Sequence, residues 1–115
     1  MRRGDIWLVD LNPVRGSEAN KIRPAVVVSN DRANTATARL GRGVVTVVPV
    51  TSNVTTVYPF QVLLVADASG LSSDCKAQAE QVRSVAVERL TQFVGRVAAS
   101  ELALLDDALR LHLDL

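Results

Sequence analysis

The stretch Arg23-Pro24-Ala25-Val26-Val27-Val28-Ser29 decides the fold of this chain. Its nearly unbroken run of β-branched residues is typical of a strand that is buried on both faces and lies centrally in a sheet. Proline restricts the residue before it to extended backbone, so Arg23 is a cation held in a fixed position. A positioned guanidinium is a good partner for a phosphate.

The segment just before this strand, Gly16-Ser17-Glu18-Ala19-Asn20-Lys21-Ile22, is a short loop with a carboxylate and an ammonium group. A polar loop joined to rigid backbone is a common way to build a binding or catalytic site. The loop and Arg23 are therefore the first candidate site. The simpler alternatives are that Glu18 and Lys21 are solvated loop charges and that Arg23 is a structural ion-pair partner.

Further strands are predicted on both sides of this stretch, over residues 5–11, 44–51, 58–65, 74–80, 81–87 and 93–97. Pro49 has no backbone donor, which predicts an edge, a bulge or the close of pairing near the end of its strand. Residues 30–40 are polar and predict a short helix or a long loop. Asn30 or Asp31 is available there as an N-cap and Gly41 as a stop.

A C-terminal helix is predicted to begin at Ser100. Its apolar residues form two lines, Leu102/Leu105/Leu109/Leu113 and Leu104/Ala108/Leu111/Leu115. One line covers the sheet, and the other is available for a second chain unless the whole helix is deeply buried. Together, the pattern predicts one domain over residues 1–115, an α+β and mainly β fold with a small, strongly curved sheet or partly closed barrel.

Composition excludes several classes of protein. Cys75 and His112 are the only cysteine and the only histidine, which excludes an intramolecular disulfide and argues against a zinc site. No apolar run approaches the ~18 residues of a membrane span, and the N-terminus lacks the apolar core of a signal peptide. We therefore expect a cytoplasmic protein with no metal, no other cofactor and no membrane contact.

Charge is unevenly distributed along the chain, although the net charge is only +1. Residues 1–60 contain eight Lys/Arg and four Asp/Glu, whereas residues 61–115 contain five and eight. A basic front half and an acidic back half predict one face for a polyanion and another for a different partner.

Three polar clusters lie where predicted strands begin or end, namely Glu18/Lys21/Arg23, Thr51-Ser52-Asn53 and Glu80-Gln81-Val82-Arg83. If these ends meet, their guanidiniums, carboxylate, hydroxyls and amides match a phosphodiester. Cleavage without a metal or a histidine has one easy route, attack by the neighbouring 2′-hydroxyl of the substrate, which requires RNA. The ordinary alternatives are a strand end and turn at residues 51–53 and a merely exposed Arg83.

Five ordered segments resemble the MazF/PemK toxins of bacterial toxin–antitoxin pairs. They are Arg3-Gly4-Asp5-Ile6-Trp7, Gly16-Ser17-Glu18 with Arg23-Pro24-Ala25-Val26-Val27, Val48-Pro49-Val50-Thr51-Ser52, Tyr58-Pro59-Phe60 and Gln81-Val82-Arg83-Ser84. Each segment alone is a weak signal, but the ordered set covers nearly the whole chain and is highly specific.

The resemblance implies an SH3-like barrel fold, a homodimer and metal-independent cleavage of single-stranded RNA at short sequences. In this family, cleavage leaves a 2′,3′-cyclic phosphate and a 5′-hydroxyl. The resemblance also implies a cognate antitoxin whose acidic tail lies across the toxin dimer and blocks RNA entry.

The resemblance also assigns roles to single residues. The family's essential arginine and threonine fall on Arg23 and Thr51, and its loop glutamate falls on Glu18. Arg23 is then expected to bind the scissile phosphate, Thr51 to hydrogen-bond it or orient the 2′-hydroxyl, and Glu18 to act as the base. A guanidinium is nearly always protonated, so Arg23 is a poor base.

The expected RNA contacts are Lys21, Ser52, Asn53, Gln81 and Arg83, with Tyr58 or Phe60 as stacking surfaces for bases. The chain departs from some family members that use an arginine and an aspartate just before the Gln-x-Arg segment. Those positions are Gln78 and Glu80 here. Glu80 keeps an acidic group, but Gln78 supplies no charge.

Two other functions are compatible with the same fold. Related toxins poison DNA gyrase by binding it through their terminal helix, without cleavage. An RNA-binding module that does not cut is the other alternative. The Arg23/Thr51 pair favours the nuclease, since a gyrase poison does not need it.

Overall fold

The computed structural model describes residues 1–13, 15–18 and 21–115. The described chain contains seven strands in the order β1 Asp5–Asp10, β2 Ile22–Val27, β3 Val44–Thr51, β4 Gln61–Leu64, β5 Cys75–Gln78, β6 Arg83–Ala86 and β7 Leu90–Arg96. Two helices complete it, α1 Asp31–Leu40 and α2 Ala99–Leu113, and short 3-10 turns cover Ala79–Gln81 and Val87–Arg89.

The strands form one antiparallel sheet in the order β4-β5-β3-β2-β1-β7, with β6 paired to β3. No pairing is found between β4 and β7 among these described strands, so the sheet is not closed. The predicted fold class, mainly β with a C-terminal helix, is confirmed.

The second strand, β2, lies centrally, as its apolar run predicts. It pairs with β1 on one side and β3 on the other. Its successive side chains enter two cores, because neighbours along a strand point to opposite faces. Val26 packs in the core beneath α2, and Ala25 and Val27 pack in the core on the opposite face.

The third strand, β3, changes partners along its length. Its first half pairs with β6, from Val44↔Ala86 to Val47↔Arg83, and its end pairs with β5, at Val50↔Ala77 and Thr51↔Lys76. Pro49 lies between these two ladders and opposite Ala25 of β2. Of the alternatives predicted for Pro49, the end of a pairing is correct, because the ladder with β6 ends just before it. An edge position is wrong because β3 has partners on both sides.

The predicted helix at residues 30–40 is present, and both of its ends follow the expected caps. The side chain of Asn30 accepts the Ala33 backbone N–H at 2.8 Å. Gly41 ends the helix in the left-handed conformation at φ 67°. Asn34 is the buried residue of this helix.

The strand predictions are wrong in detail at several places, and the strand expected at residues 93–97 begins three residues earlier, as β7 Leu90–Arg96. The strand expected at residues 58–65 is confined to β4, and the Gln61 side chain holds the turn before it by accepting the Tyr58 N–H at 3.1 Å. Ala79–Gln81 forms a 3-10 turn between β5 and β6, so the two strands expected at 74–80 and 81–87 are shorter.

The C-terminal helix, α2, buries one face and exposes the other. Leu105 and Ala108 are buried, whereas Leu104, Leu111 and Leu113 are exposed. The buried face thus takes members from both predicted lines. Part of an apolar surface is left uncovered, and no helix in the described residues is long and apolar enough to cross a membrane.

Candidate functional site

A cavity of about 470 Å³ opens at the end of β2 and β3 where Arg23 and Thr51 lie. The β2–β3 ladder ends at the pair Ala25↔Pro49, and Arg23 and Thr51 each lie two residues beyond it on these neighbouring strands. Both residues line this cavity, so the two residues that the resemblance singles out share one site.

Lys21 and Ser52 line the same cavity. The Lys21 backbone is left-handed, at φ 66°, and is held from both sides. Its N–H donates to Asn12 Oδ1 at 3.1 Å, and its carbonyl accepts the Leu11 N–H at 3.0 Å. This end of the loop is fixed beside Arg23, while Ala19 and Asn20 lie outside the described residues.

The hydroxyl of Thr51 is oriented by the turn that follows it. Thr51 Oγ1 accepts the Asn53 backbone N–H at 3.3 Å, and Asn53 Oδ1 accepts the Thr55 N–H at 3.2 Å. With that lone pair occupied, the Thr51 proton can be donated into the cavity. Asn53 is used to shape this turn and is not among the residues that line the cavity.

The opposite wall of the cavity comes from the loop before β5, which sequence reasoning missed. Gly70, Leu71, Ser72 and Ser73 line it. The loop lies directly on β7, since a Cβ added at Gly70 would meet the Val94 carbonyl oxygen at 2.2 Å. The available signal was the Ser-Gly-rich composition of residues 69–73, which marks a loop but not its neighbours.

Cys75 also lines this cavity and is buried. Burial raises the pKa of its thiol, and its Sγ contacts the Ser73 carbonyl oxygen at 3.3 Å. A thiol with a raised pKa is a poor nucleophile, so Cys75 packs the cavity rather than supplying chemistry.

A second cavity, of about 440 Å³, is lined by Glu18, Glu80, Gln81, Val82, Arg83 and Ser84. Arg83 lies opposite Val47, four residues before Thr51 on β3, so Arg83 and Thr51 share a face of the sheet. The loop before β2 contributes to both cavities, Lys21 to the first and Glu18 to the second. Gln81 anchors this loop by donating from Nε2 to the Ser17 carbonyl at 3.1 Å.

Glu18 therefore lines the cavity of Arg83 rather than that of Arg23. Its carboxylate accepts the Arg15 backbone N–H at 2.7 Å, and its own N–H donates to the Arg15 carbonyl at 3.2 Å. Of the expected site residues, Arg23, Thr51, Lys21 and Ser52 form one group, and Glu18, Gln81 and Arg83 form another.

Two buried acceptors lie beside the second cavity. Glu80 Oε2 accepts from Gln61 Nε2 at 2.7 Å, whereas its Oε1 is buried without a hydrogen-bond partner among the described residues. Gln78 Oε1 is buried and unpartnered in the same described part of the chain. Such atoms are costly to leave unpaired, so each needs an explanation.

Tyr58 and Phe60 stack on each other, with ring centroids 5.5 Å apart and planes 6° from parallel. The Lys76 ammonium lies 5.7 Å from the Tyr58 ring centroid and donates to the Thr56 carbonyl at 2.6 Å. Tyr58 keeps half of its surface exposed. Tyr58 lies before β4 with this exposed surface, and its role as a stacking surface for bases stays a prediction.

The polar side chains of the first cavity are cationic and hydroxylic, and the second cavity adds an amide and the carboxylates of Glu18 and Glu80. Across residues 1–13, 15–18 and 21–115, no group of three or more His, Cys, Asp or Glu side chains is placed to hold a metal ion. Guanidinium and hydroxyl donors converging on an open cavity can bind a phosphate and stabilise negative charge that develops on it.

Comparison with known proteins gives consistent results. The family model for PemK-like, MazF-like toxins of type II toxin–antitoxin systems matches residues 2–113. Endoribonuclease MazF9 of Mycobacterium tuberculosis (strain ATCC 25618 / H37Rv) is 72% identical over 115 residues, which covers 100% of this chain and 98% of that protein.

Solved structures share the fold. A crystal structure of MazF from Deinococcus radiodurans superposes with a TM-score of 0.83 at 28% identity, covering 100% of this chain and 97% of that one. An endoribonuclease in complex with its cognate antitoxin, from a mycobacterial species, gives a TM-score of 0.78 at 22% identity, covering 100% and 96%. The second likeness concerns the fold alone.

Proposed function

Because the chain belongs to the PemK-like, MazF-like toxins of type II toxin–antitoxin systems, we propose that it cuts single-stranded RNA at short sequences without a metal. It is an endoribonuclease, as its 72% identical relative is named. The observation that carries the proposed mechanism is the open cavity that Arg23 and Thr51 both line, where the neighbouring strands β2 and β3 end.

In the proposed reaction, the 2′-oxygen of the substrate attacks the adjacent phosphorus and the bond from phosphorus to the 5′-oxygen breaks. The products are a 2′,3′-cyclic phosphate and a 5′-hydroxyl. One proton leaves the 2′-hydroxyl and one is taken up by the 5′-oxygen, so no water and no cofactor are consumed. The protein has to stabilise the extra negative charge on the phosphoryl oxygens and move that proton.

Arg23 supplies the charge stabilisation in this proposal. Its fork of donors fits two phosphoryl oxygens. A relay through Arg23 would pass one of its N–H protons to the leaving 5′-oxygen, and the guanidinium would regain the proton that left the 2′-hydroxyl. Thr51 donates its hydroxyl proton to the phosphate or orients the 2′-hydroxyl. The hydrogen bond from the Asn53 N–H supports this role because it fixes the Thr51 oxygen.

Glu18 is the proposed base for the 2′-hydroxyl proton. Since its carboxylate lines the second cavity, this assignment requires the ribose to lie between the two cavities, with its phosphate at Arg23. Arg83 and Gln81 would then contact the neighbouring nucleotide.

Lys21 and Ser52 are proposed phosphate or ribose contacts in the first cavity. Asn53 is proposed to act through the turn that it stabilises, and the exposed ring of Tyr58 to stack on a base. RNA of the cell is the substrate of such an enzyme, so the proposed place of action is the cytoplasm.

Incubation of the purified protein with a mixed single-stranded RNA in EDTA tests the reaction. We expect fragments with 2′,3′-cyclic phosphate and 5′-hydroxyl ends, and no cutting of the all-deoxy version of the same strand. Sequencing the fragment ends gives the recognition sequence. Intact RNA would favour a non-cleaving toxin, and fragment ends that carry a 5′-phosphate would refute attack by the 2′-hydroxyl.

The proposed protein partners are a cognate antitoxin and a second copy of the chain. The homodimer proposal is supported by an exposed apolar surface on α2 and β4, where Leu104, Leu111 and Leu63 are 56%, 58% and 44% exposed. A groove of about 350 Å³ runs between these elements. Light scattering at micromolar concentration should give a dimer that Leu104→Glu weakens more than Ala103→Glu does, and a wild-type monomer contradicts it.

A further inference from the structure

Helix α1 carries a face of arginines away from the proposed catalytic end. Arg32 and Arg39 are seven residues apart, which is two helical turns or about 10.5 Å along the axis. Thr35 and Ala36 lie between them on the same face. With Asp31, these residues line a shallow groove of about 490 Å³, and all of them are exposed.

The fold does not use these arginines. No ion pair or side-chain hydrogen bond of Arg32, Arg39 or Arg42 occurs within the part of the chain that the structure describes. Other guanidiniums do hold distant segments together through carboxylates or carbonyls, namely those of Arg3, Arg89 and Arg96. The cations of α1 and its following turn therefore remain available.

The helix itself contributes no apolar side chain to either described core. Its buried residue is Asn34, which is hydrogen-bonded to Ser29. A ten-residue helix is not stable alone in water, so α1 persists because of its caps and the Asn34 bonds. It is a polar helix fixed to the sheet, and what it offers is its outer surface.

The charge of this surface is positive. Asp31 is the acidic residue of α1, and its carboxylate accepts the Arg3 backbone N–H at 2.7 Å. That hydrogen bond lowers the pKa of Asp31 and engages its charge at the start of the helix. Arg32, Arg39 and, just after the helix, Arg42 have no ion-pair partner among the described residues.

The chemistry of this face fits a nucleic-acid strand better than a folded protein. Protein interfaces have an apolar centre, and the groove between Arg32 and Arg39 offers only the methyl group of Ala36 as an apolar side chain. Spaced guanidiniums on a polar background are instead typical of phosphate contacts, which position a strand without reading its sequence.

We propose that the Arg32–Arg39 face of α1 binds phosphates of the RNA strand at a distance of several nucleotides from the cut. This rests on the proposed function. The helix joins the ends of β2 and β3 that lie opposite Arg23 and Thr51, and β3 spans about 23 Å from Val44 to Thr51 at ~3.3 Å per residue. Only a strand long enough to cover this distance can contact both sites.

The length requirement makes the proposal testable with two probes. They are mixed-sequence pools of fluorescein-labelled 2′-O-methyl RNA, one of about 4 and one of about 16 nucleotides, the lower and upper ends of the usual range of single-strand site sizes. Fluorescence anisotropy over a range of NaCl concentrations gives the affinity and its salt dependence. The methyl groups block the 2′-oxygen, so binding is measured without cutting.

We expect R32Q/R39Q to bind the longer pool about 3- to 10-fold more weakly and to lower the slope of log affinity against log salt by about 1 to 2. Binding of the short pool should be unchanged. R32K/R39K should retain both values because it keeps the charges. R110Q is the matched control, since Arg110 is 61% exposed on α2 and outside the groove.

Equal binding of the longer pool by wild type and R32Q/R39Q overturns the proposal, as does an equal loss in R110Q. A loss of antitoxin binding with unchanged RNA binding assigns the face to the protein partner instead. Failure of the proposed function is distinguishable, because the wild-type protein would then leave cleavable RNA intact whatever the state of α1.

Discussion

The two ends of β2 and β3 carry polar side chains of similar kinds but use them differently. Near α1, Ser29 Oγ donates to Asn34 Oδ1 at 2.5 Å and accepts the Thr46 N–H at 3.1 Å, while Asn34 Nδ2 donates to the Ser29 carbonyl at 2.8 Å. At the opposite end, Thr51 accepts one backbone N–H, and Arg23 beside it lines an open cavity.

The polar groups at one end stabilise the fold, and those at the other end are available to a ligand. At the α1 end the polar groups satisfy one another, so they fix a helix that has no apolar packing. At the Arg23 end, donors lie around a space large enough for a ligand. Substitutions at the two ends should therefore affect different measurements, unfolding at one and cleavage at the other.

Arg23→Ala should give the largest effect on cleavage. Loss of a donor that stabilises transition-state charge costs on the order of 10³-fold in rate, and Arg23→Lys should recover only part of it because an ammonium lacks the bidentate fork. Single-turnover cleavage of a labelled RNA measures the rate, and urea unfolding measures the stability.

The matched variant is Arg3→Ala, which removes a guanidinium that is paired with Asp106 at 2.5 Å and bonded to the Val28 carbonyl. It should lower the free energy of unfolding and leave the cleavage rate within about twofold. If Arg3→Ala slowed cleavage and Arg23→Ala lowered only the free energy of unfolding, the proposed assignment of stability to one end and cleavage to the other would be wrong.

Asn34→Ala should give the largest effect on stability. It removes two part-buried hydrogen bonds that Asn34 makes to the hydroxyl and carbonyl of Ser29, which costs about 2–3 kcal/mol of unfolding free energy. Thr35→Ala on the exposed face of the same helix is the control and should change stability by less than about 0.5 kcal/mol. Chemical denaturation of both variants measures the difference.

At temperatures where Asn34→Ala remains folded, its cleavage of a short RNA should match that of the wild type. A cleavage defect without a loss of stability would mean that the α1 end takes part in the reaction.

Local signals in the sequence predict much of this architecture. Asn30 and Gly41 bound α1 because an N-cap acceptor and a left-handed glycine act within a few residues. The ends of β3 are predicted without error. Arg23 and Thr51 could be singled out as candidates because Pro24 follows one and a strand ends at the other. The family resemblance then assigned both of them to one catalytic site.

The remaining features depend on contacts between distant parts of the chain. Ser69–Gly70 approaches Gly95 closely, and a Cβ added at Gly95 would lie 1.9 Å from the Ser69 carbonyl oxygen. Twenty-five residues separate Gly70 from Gly95, so no local pattern shows that this loop closes the cavity. The separation of Glu18 from Arg23 likewise depends on where the loop is anchored by Gln81.

Removal of the Thr51 hydroxyl should slow cleavage less than Arg23→Ala does, and it tests a single hydroxyl group at the Arg23 end. Thr51→Val keeps the volume and removes a hydrogen bond to a charged group, which is worth about 1.5–3 kcal/mol, or about 10- to 150-fold in rate. Thr51→Ser should recover most of the activity.

The matched control is Thr46→Val on the same strand, where only the backbone of Thr46 contributes to the network near α1. Because Thr51 and Thr46 share β3 but lie near its opposite ends, equal losses of cleavage in Thr51→Val and Thr46→Val would show that the strand responds as a whole. A loss confined to Thr51→Val, measured in single-turnover reactions with saturating enzyme, would place the hydroxyl at the reacting phosphate.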